Sequence, residues 1–533
     1  MDKMLDLEVI PEQGLQTEQW EFLLGMHFSQ SVAIIQSQVT VIKSAHVIYN
    51  DQTPLAHDLI LDLPLDGIRL IYDSNSQRLK LIEVNNLKLV RLKYCGTVFN
   101  GPDVIPTVDQ IDRCFGATRP GVYDKQRQLF ALHFRGLSFY FPVDLQYEPG
   151  RSHGLGSLRF PGDSSPVLAK MIIYCGNNAT EAPVPQLPLS CYRGHVYCED
   201  CHVLRNANGT KTLGLRLKLV ACSSNILEPT RVQFERELCF GDSAQTVASK
   251  LGTPSRVFYK AEDKMKIHSR DYHKRVSSER SDYFFNYFTM GLDVLFDAVT
   301  HRAIKMILHS NFPGHYDFNS YHRCPFSLSI GRQPGTATIS SLSTAMGKAQ
   351  ISAYSAAPQP SLTAGGGSNN NMGGGGQQQN QGKNKNQNNK SKGKKNKGNN
   401  SIIQNQDLQT GPNNAGASDE TSPETSPTSG SPPSGTTAVV PQHSGDKNWI
   451  SVKFNSCWKS VTEFFGGDQG CSIEKPVVLT RSSSNNPFGS CLCYGVQDMI
   501  FEVMANDHIA SVTIYQAEPP VGIGAGAPPV VSY

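Results

Sequence analysis

The feature that most limits how this chain can fold is a helical segment followed by three strand-like runs, between residues 240 and 315. Asp242 and Ser243 are N-cap candidates for a short amphipathic helix, and Gly252 is its C-cap candidate. Three apolar runs of strand-like composition then follow, at residues 283–288, 291–296 and 303–308. This order predicts a helix followed by an antiparallel meander.

The same pattern recurs along the chain. Residues 67–73 and 291–297 both run Gly, aliphatic, charged, aliphatic, aliphatic, aromatic, Asp. Two more helix-like segments, at 107–116 and 458–466, precede further strand-like runs. We therefore predict an α+β protein that is rich in strand and built from repeated modules, each a helix plus an antiparallel β-meander. Chance similarity among amphipathic strands is the alternative.

Domain boundaries follow from these runs and from a change in composition. Residues 331–447 are rich in Gly, Asn, Gln, Ser, Thr and Pro and nearly lack aromatic residues. Such a composition cannot offset the entropy lost when a chain becomes ordered. The predicted order is a first module at 1–98, a second at 99–180, an additional β-sheet segment at 181–239, a third module at 240–330, a disordered linker at 331–447, a fourth module docked on the body at 448–517, and a flexible tail at 518–533.

Charge is unevenly placed along the sequence. The net charge is +3, but residues 331–447 hold ten Lys or Arg against five acidic residues, so the remainder carries a net charge of −2. A nearly neutral folded part argues against a nucleic-acid partner. Seven lysines lie between residues 383 and 397. They are expected to be solvated, although a weak or indirect contact with phosphoinositide membranes is an alternative.

The sequence also indicates where the protein resides. No stretch approaches the about 18 apolar residues that a membrane span needs, and the first residues lack the apolar core of a signal peptide. We expect a cytosolic protein whose 13 cysteines are reduced. The common nucleophile-elbow, zinc-protease, phosphate-loop and dinucleotide motifs do not occur, so we predict no enzymatic activity.

One short motif has the spacing of a metal half-site. Cys198 and Cys201 are three residues apart and His202 follows them, while Cys191 and His195 are the nearest further ligands. The simpler interpretation is that these thiols alternate on a strand. We therefore predict no metal and no cofactor, and keep a zinc- or thiol-dependent enzyme as an alternative.

Three loops combine residue types that often contact partners or anions. The first is a polar loop at 262–269, and the second, at 311–318, combines turn residues with aromatic residues. In the third loop, at 481–489, the arginine and serine side chains are of the kind that bind phosphate. The candidate partner- or anion-binding residues are Lys264, Lys266, His268, Pro313, Gly314, His315, Tyr316, Arg481, Ser482, Ser483, Pro487 and Phe488.

Several longer runs resemble the phagosome assembly factor family. They are residues 5–12, 20–22, 57–61, 92–96, 262–269, 282–288, 313–316 and 501–504. The resemblance implies a cytosolic, non-enzymatic autophagy factor that associates with a WD-repeat β-propeller protein and is recruited to the phagophore. A trafficking protein that binds phosphoinositides directly is the alternative. No binding residue is carried over from the family, so the candidate residues rest on loop chemistry alone.

Overall fold

Alternating apolar and polar residues make strands the main element of this chain. In the first strand, Leu5, Leu7 and Val9 are buried, and the residues between them face outward. The computed structural model describes residues 4–116, 121–143, 165–223, 228–259, 281–331, 448–466, 473, 475–479 and 489–516. None of the helices in these ranges is long and apolar enough to cross a membrane. The predicted linker beyond residue 331 and the predicted tail at 518–533 lie outside the described residues.

The first half of the fold runs to residue 174. Its elements are β1 (Leu5–Ile10), β2 (Gly14–Gln16), β3 (Glu21–Leu23), α1 (Phe28–Ser37), β4 (His46–Ile48), β5 (Leu59–Leu63), β6 (Ile68–Tyr72), β7 (Leu79–Val84), β8 (Val90–Tyr94), β9 (Thr97–Asn100), α2 (Val108–Phe115), β10 (Val122–Asp124), β11 (Leu129–Phe134), β12 (Leu137–Pro142) and β13 (Lys170–Tyr174).

The second half begins at residue 197. Its elements are β14 (Tyr197–Arg205), β15 (Thr212–Cys222), β16 (Arg231–Cys239), α3 (Ala244–Leu251), β17 (Arg256–Tyr259), β18 (Tyr283–Tyr287), β19 (Leu292–Phe296), β20 (Ala303–His309), β21 (Phe326–Gly331), β22 (Trp449–Lys453), α4 (Trp458–Gly466), β23 (Val477–Leu479), β24 (Cys491–Val496), β25 (Met499–Val503) and β26 (Ile509–Tyr515).

The two halves have the same topology. Each holds one five-stranded sheet, in the orders β3-β2-β1-β8-β9 and β16-β15-β14-β21-β22. Each also holds one eight-stranded sheet, in the orders β10-β11-β12-β13-β7-β6-β5-β4 and β23-β24-β25-β26-β20-β19-β18-β17. The parallel pairs are equivalent as well, since β1 lies beside β8 in one half and β14 beside β21 in the other. Every element of the first half therefore has a counterpart in the second.

The predicted α+β class is wrong. The described residues form a β-rich fold of 26 strands in four large sheets, with four α-helices of at most ten residues. A helix with its own meander is not the structural unit, because two meanders join edge to edge through β7 and β13, or through β20 and β26. An edge strand carries unpaired backbone groups, and pairing two edges satisfies them.

Short helices pack on one face of each eight-stranded sheet. The Ser243 hydroxyl accepts a hydrogen bond from the backbone N–H of Thr246 at the start of α3, and Gly252 follows the helix with a φ of 86°, which confirms both predicted caps. In the second half, apolar residues of β19 pack in one core cluster with residues of α3 and α4. The opposite face of that sheet is left for the polar residues that alternate with them.

Candidate functional site

The outer face of the second eight-stranded sheet carries a polar groove. Its volume is about 380 Å³, and it is lined at its centre by acidic, histidine and tyrosine side chains and at its margin by phenylalanines. Residues on its lining include Phe258, Phe284, Asp293, His309, Tyr321 and Glu502. We call it the polar groove.

Residues 310–325, here called the cover segment, connect β20 to β21 across this face. Asn311, the second residue of the segment, has a φ of 50° and is hydrogen-bonded to the first half. Its side-chain amide donates to Gln77 Oε1 at 2.7 Å, and the Gln77 amide donates to the Asn311 carbonyl at 2.8 Å. Arg323 donates to the carbonyls of Ser310, at 2.7 Å, and Asn75, at 2.6 Å, and burial lowers the pKa of Arg323 to about 9.

Asp293 of β19 holds the cover segment to the sheet. Its carboxylate accepts a hydrogen bond from Tyr321 Oη at 2.9 Å and one from Asn286 Nδ2 at 2.7 Å. His309 Nε2 lies 3.0 Å from Asp293 Oδ2, the oxygen that also accepts from Tyr321, and the His309 and Tyr321 rings are stacked with centroids 3.8 Å apart. Burial first, and then the neighbouring Asp293, raise the pKa of Tyr321. The tyrosine therefore stays protonated and remains a donor.

A second buried cluster lies beside the first. His315 Nε2 is 3.2 Å from Glu502 Oε1, and the Ser511 hydroxyl donates to Glu502 Oε2 at 2.8 Å. Cys491, at the start of β24, completes the cluster. One potential ligand atom from each of His315, Cys491 and Glu502 lies within 4.8 Å of the other two, and all three residues are buried.

The matching face of the first eight-stranded sheet is built differently. Arg69 in β6 occupies the sheet position that Asp293 occupies in β19, as the strand registers show. It forms an ion pair with Asp62 at 2.9 Å, and its side chain is 43% exposed. In that half, only residues 85–89 connect β7 to β8, whereas the whole cover segment makes the equivalent connection in the second half. The longer connection covers the polar residues of the second half, whereas the Arg69 side chain in the first half remains partly exposed.

The predicted candidate residues divide into those the structure places and those it does not describe. Pro313 and His315 are buried in the cover segment, whereas Gly314 and Tyr316 are partly exposed. Tyr316 lines the polar groove. Two predicted groups lie outside the described residues, namely Lys264, Lys266 and His268, and Arg481, Ser482, Ser483, Pro487 and Phe488. A binding role for any of them stays a prediction.

Comparison with known proteins identifies the family. The family model for phagosome assembly factor 1 matches residues 18–389 and 436–515. The chain is 45% identical over 521 residues to a PHAF1 protein of Drosophila melanogaster, which covers 97% of this chain and 95% of the relative. The chain belongs to the phagosome assembly factor 1 family. The cover segment and the strands that line the polar groove fall within the matched regions of the family model.

Other family members are more distant. A PHAF1 protein of Caenorhabditis elegans is 39% identical over 329 residues, which is 60% of this chain and 77% of the relative. A PHAF1 protein of Arabidopsis thaliana is 28% identical over 507 residues, which is 93% of this chain and 90% of the relative. No solved structure matches the chain.

The two thiols of the predicted metal half-site contact a third cysteine that is distant in the sequence. Cys198 and Cys201 lie on β14, where both contact Cys324 of the cover segment. The hydrogen bonds with Cys198 and Cys201, together with burial, raise the pKa of Cys324 well above its usual value. His202 Nε2 instead lies 2.8 Å from Asp200 Oδ2. Among the described residues, these side chains do not assemble into a group of three potential metal ligands.

Sequence reasoning missed most of the polar groove. Asp293, His309 and Glu502 were not candidates, because each is one polar residue within or at the end of an apolar strand. Tyr321 was not a candidate either, although it closely follows the loop at 311–318. A single charged residue in the middle of an otherwise apolar strand was the available signal, and both Asp293 and Glu502 fit it.

Proposed function

We propose that this chain is a non-enzymatic adaptor in autophagy, which associates with a WD-repeat β-propeller protein and is recruited to the phagophore. Membership of the phagosome assembly factor 1 family supports a role in phagosome assembly. The adaptor function, the partner and the site of recruitment are the parts that we add.

The exposed edge strand β17 is the observation that carries the proposal. It forms one edge of the second eight-stranded sheet, and all four of its side chains are exposed, Tyr259 at 64%. Edge strands present backbone groups with which an incoming strand can pair, and exposed apolar side chains on such a strand favour pairing. A partner segment in extended conformation would therefore add to this sheet beside β17.

The polar groove lies next to this edge, and it favours the same part of the molecule as the surface that binds the partner. Phe258 of β17 lines the groove together with its cross-strand neighbour Phe284, and their ring centroids are 6.4 Å apart. Aromatic residues at the margin of a concave surface are typical anchors of protein interfaces. The carboxylate of Asp293 also lines the groove, so a basic side chain of the partner would be attracted to it.

The matched edge of the first half supplies a control. Ile48 on β4 occupies the position equivalent to Phe258 on β17, and the two side chains are 45% and 41% exposed. We expect Phe258→Asp in the full chain to abolish capture of the β-propeller partner and recruitment to phagophores in starved cells. Ile48→Asp should leave both unchanged. Normal partner capture by Phe258→Asp would contradict the proposed surface.

A membrane assay separates the proposed function from direct lipid binding. The full chain is tested by flotation with phosphoinositide-containing vesicles, with and without the β-propeller partner. We expect strong flotation only when the partner is present. Equal flotation without the partner would overturn the adaptor proposal in favour of direct lipid binding.

A further inference from the structure

Three side chains that are typical zinc ligands converge where the cover segment meets the second eight-stranded sheet. His315 comes from the cover segment, Cys491 from the start of β24, and Glu502 from β25. Their exposed fractions are 3%, 6% and 7%. Cys491 and Glu502 lie on adjacent paired strands, whereas His315 precedes Glu502 by 187 residues, so the fold alone brings the histidine to this pair.

We propose that His315, Cys491 and Glu502 bind one zinc ion, which fastens the cover segment to the sheet. Zinc binds thiolate sulfur at about 2.3 Å, imidazole nitrogen at about 2.0 Å and carboxylate oxygen at about 2.1 Å, in tetrahedral geometry. These bond lengths place ligand atoms roughly 3.3 to 3.6 Å from one another. The 3.2 Å between His315 Nε2 and Glu502 Oε1 fits this spacing, and every ligand pair is already within 4.8 Å.

The charges of the three ligands suit a buried divalent cation. A thiolate and a carboxylate together balance the two positive charges of zinc, and the imidazole remains neutral. The bound site is then neutral as a whole, which limits the cost of burying its charges. Cysteine and histidine also favour zinc over the hard cations Mg²⁺ and Ca²⁺, which prefer oxygen ligands.

A neighbouring hydroxyl group orients one of the ligands. The Ser511 hydroxyl donates to Glu502 Oε2, which leaves Oε1 directed at His315. The backbone N–H of Asp317 approaches His315 Nδ1 at 3.4 Å, a long contact that requires an unprotonated Nδ1. Zinc at Nε2 would move the imidazole proton to Nδ1, so this weak contact would be exchanged for a metal bond.

Water would be available as a fourth ligand. Glu502 and Ser511 both line the polar groove, so a water molecule can reach the ion from there. Three protein ligands with an open fourth position are typical of zinc sites at which an outside ligand can bind. The proposal is independent of the partner proposed above and could hold without it.

Metal analysis of the purified full chain tests the site. After chelator treatment and dialysis against zinc, we expect one tightly bound zinc per chain. Cobalt substitution should give a thiolate-to-metal charge-transfer band, because Cys491 supplies sulfur. Cys491→Ser should remove that band, and Glu502→Gln, which keeps the side-chain shape, should weaken zinc binding strongly. Ser511→Ala removes only the orienting hydrogen bond and should weaken binding about 10- to 100-fold.

The cluster of Cys198, Cys201 and Cys324 supplies the matched control. Cys324→Ser removes a buried thiol of the same cover segment that contacts Cys198 and Cys201 rather than the proposed site. It should retain zinc and the charge-transfer band. The proposal is overturned if the wild-type chain binds no stoichiometric zinc. It is equally overturned if Cys324→Ser loses the metal while Cys491→Ser and Glu502→Gln keep it.

Discussion

Replacing Asp293 by alanine tests how the second half buries its polar face. The Asp293 carboxylate accepts hydrogen bonds from Asn286 and Tyr321 and lies 3.0 Å from His309 Nε2. Asn286, His309 and Tyr321 are each less than 9% exposed. The substitution would therefore leave three buried polar side chains without this shared partner.

The magnitude follows from those three groups. A buried donor that loses its acceptor costs about 1–3 kcal/mol, and water entering from the polar groove would relieve part of this. We expect Asp293→Ala to lower the free energy of unfolding by about 3–5 kcal/mol. Asp293→Asn should cost less, because its amide oxygen still accepts a hydrogen bond.

The pseudo-equivalent position of the first half gives a matched control. Arg69 occupies the same sheet position as Asp293, but its side chain is 43% exposed, and that of its ion-pair partner Asp62 is 13% exposed. Arg69→Ala should lower the free energy of unfolding by about 1 kcal/mol, clearly less than Asp293→Ala, because only one pair is lost and the arginine is half exposed. Urea unfolding and limited proteolysis of the cover segment measure both variants. If Asp293→Ala and Arg69→Ala had equal urea midpoints, the anchoring role of Asp293 would be refuted.

Three further outcomes follow from buried groups. Arg205, whose Nη1 lies 2.9 Å from Asp498 Oδ1, is buried, so Arg205→Met should cost about 3–5 kcal/mol in urea unfolding, and adding Asp498→Asn should recover part of it. Burial lowers the pKa of His322 to about 4. The unfolded chain therefore binds more protons below pH 6.5, and stability should fall by up to about 1.4 kcal/mol per pH unit from pH 6.5 towards 4, a slope that His322→Gln should reduce. Gly291 has a φ of 65°, and a Cβ there would lie 2.4 Å from the backbone oxygen of residue 322, so Gly291→Ala should lower the melting temperature by several degrees.

Local signals in the sequence were sufficient for single elements. Ser243 and Gly252 cap α3 as predicted, because capping depends on residues within one turn. The leucines at 213, 215, 217 and 219, within the segment at 181–239 that we expected to add sheet, lie on the strand β15, as an apolar period of two favours. The fold class was wrong, because no local pattern reveals that one meander pairs its last strand with that of another. β7 and β13, for example, are separated by two other strands, a helix and a second meander.

The candidate site could be predicted only in part from the sequence, for the same reason. Turn chemistry and aromatic residues pointed to Pro313–Tyr316, and one residue of this loop, Tyr316, lines the polar groove. Its partners Cys491 and Glu502 follow the long low-complexity stretch, and nothing in their local sequence connects them with His315. Contacts across that distance depend on the register of β20 against β26, which the sequence does not specify locally.

Hydrogen–deuterium exchange of the full chain tests the central claim most directly, namely that the second half carries the surface for a β-propeller partner. Exchange is measured with and without that partner. The account predicts that backbone amides of β17 (Arg256–Tyr259) become protected on binding, because a partner strand would pair with this edge. Amides of the equivalent edge β4 (His46–Ile48) should be unchanged. Protection elsewhere, with no change at β17, would contradict the account.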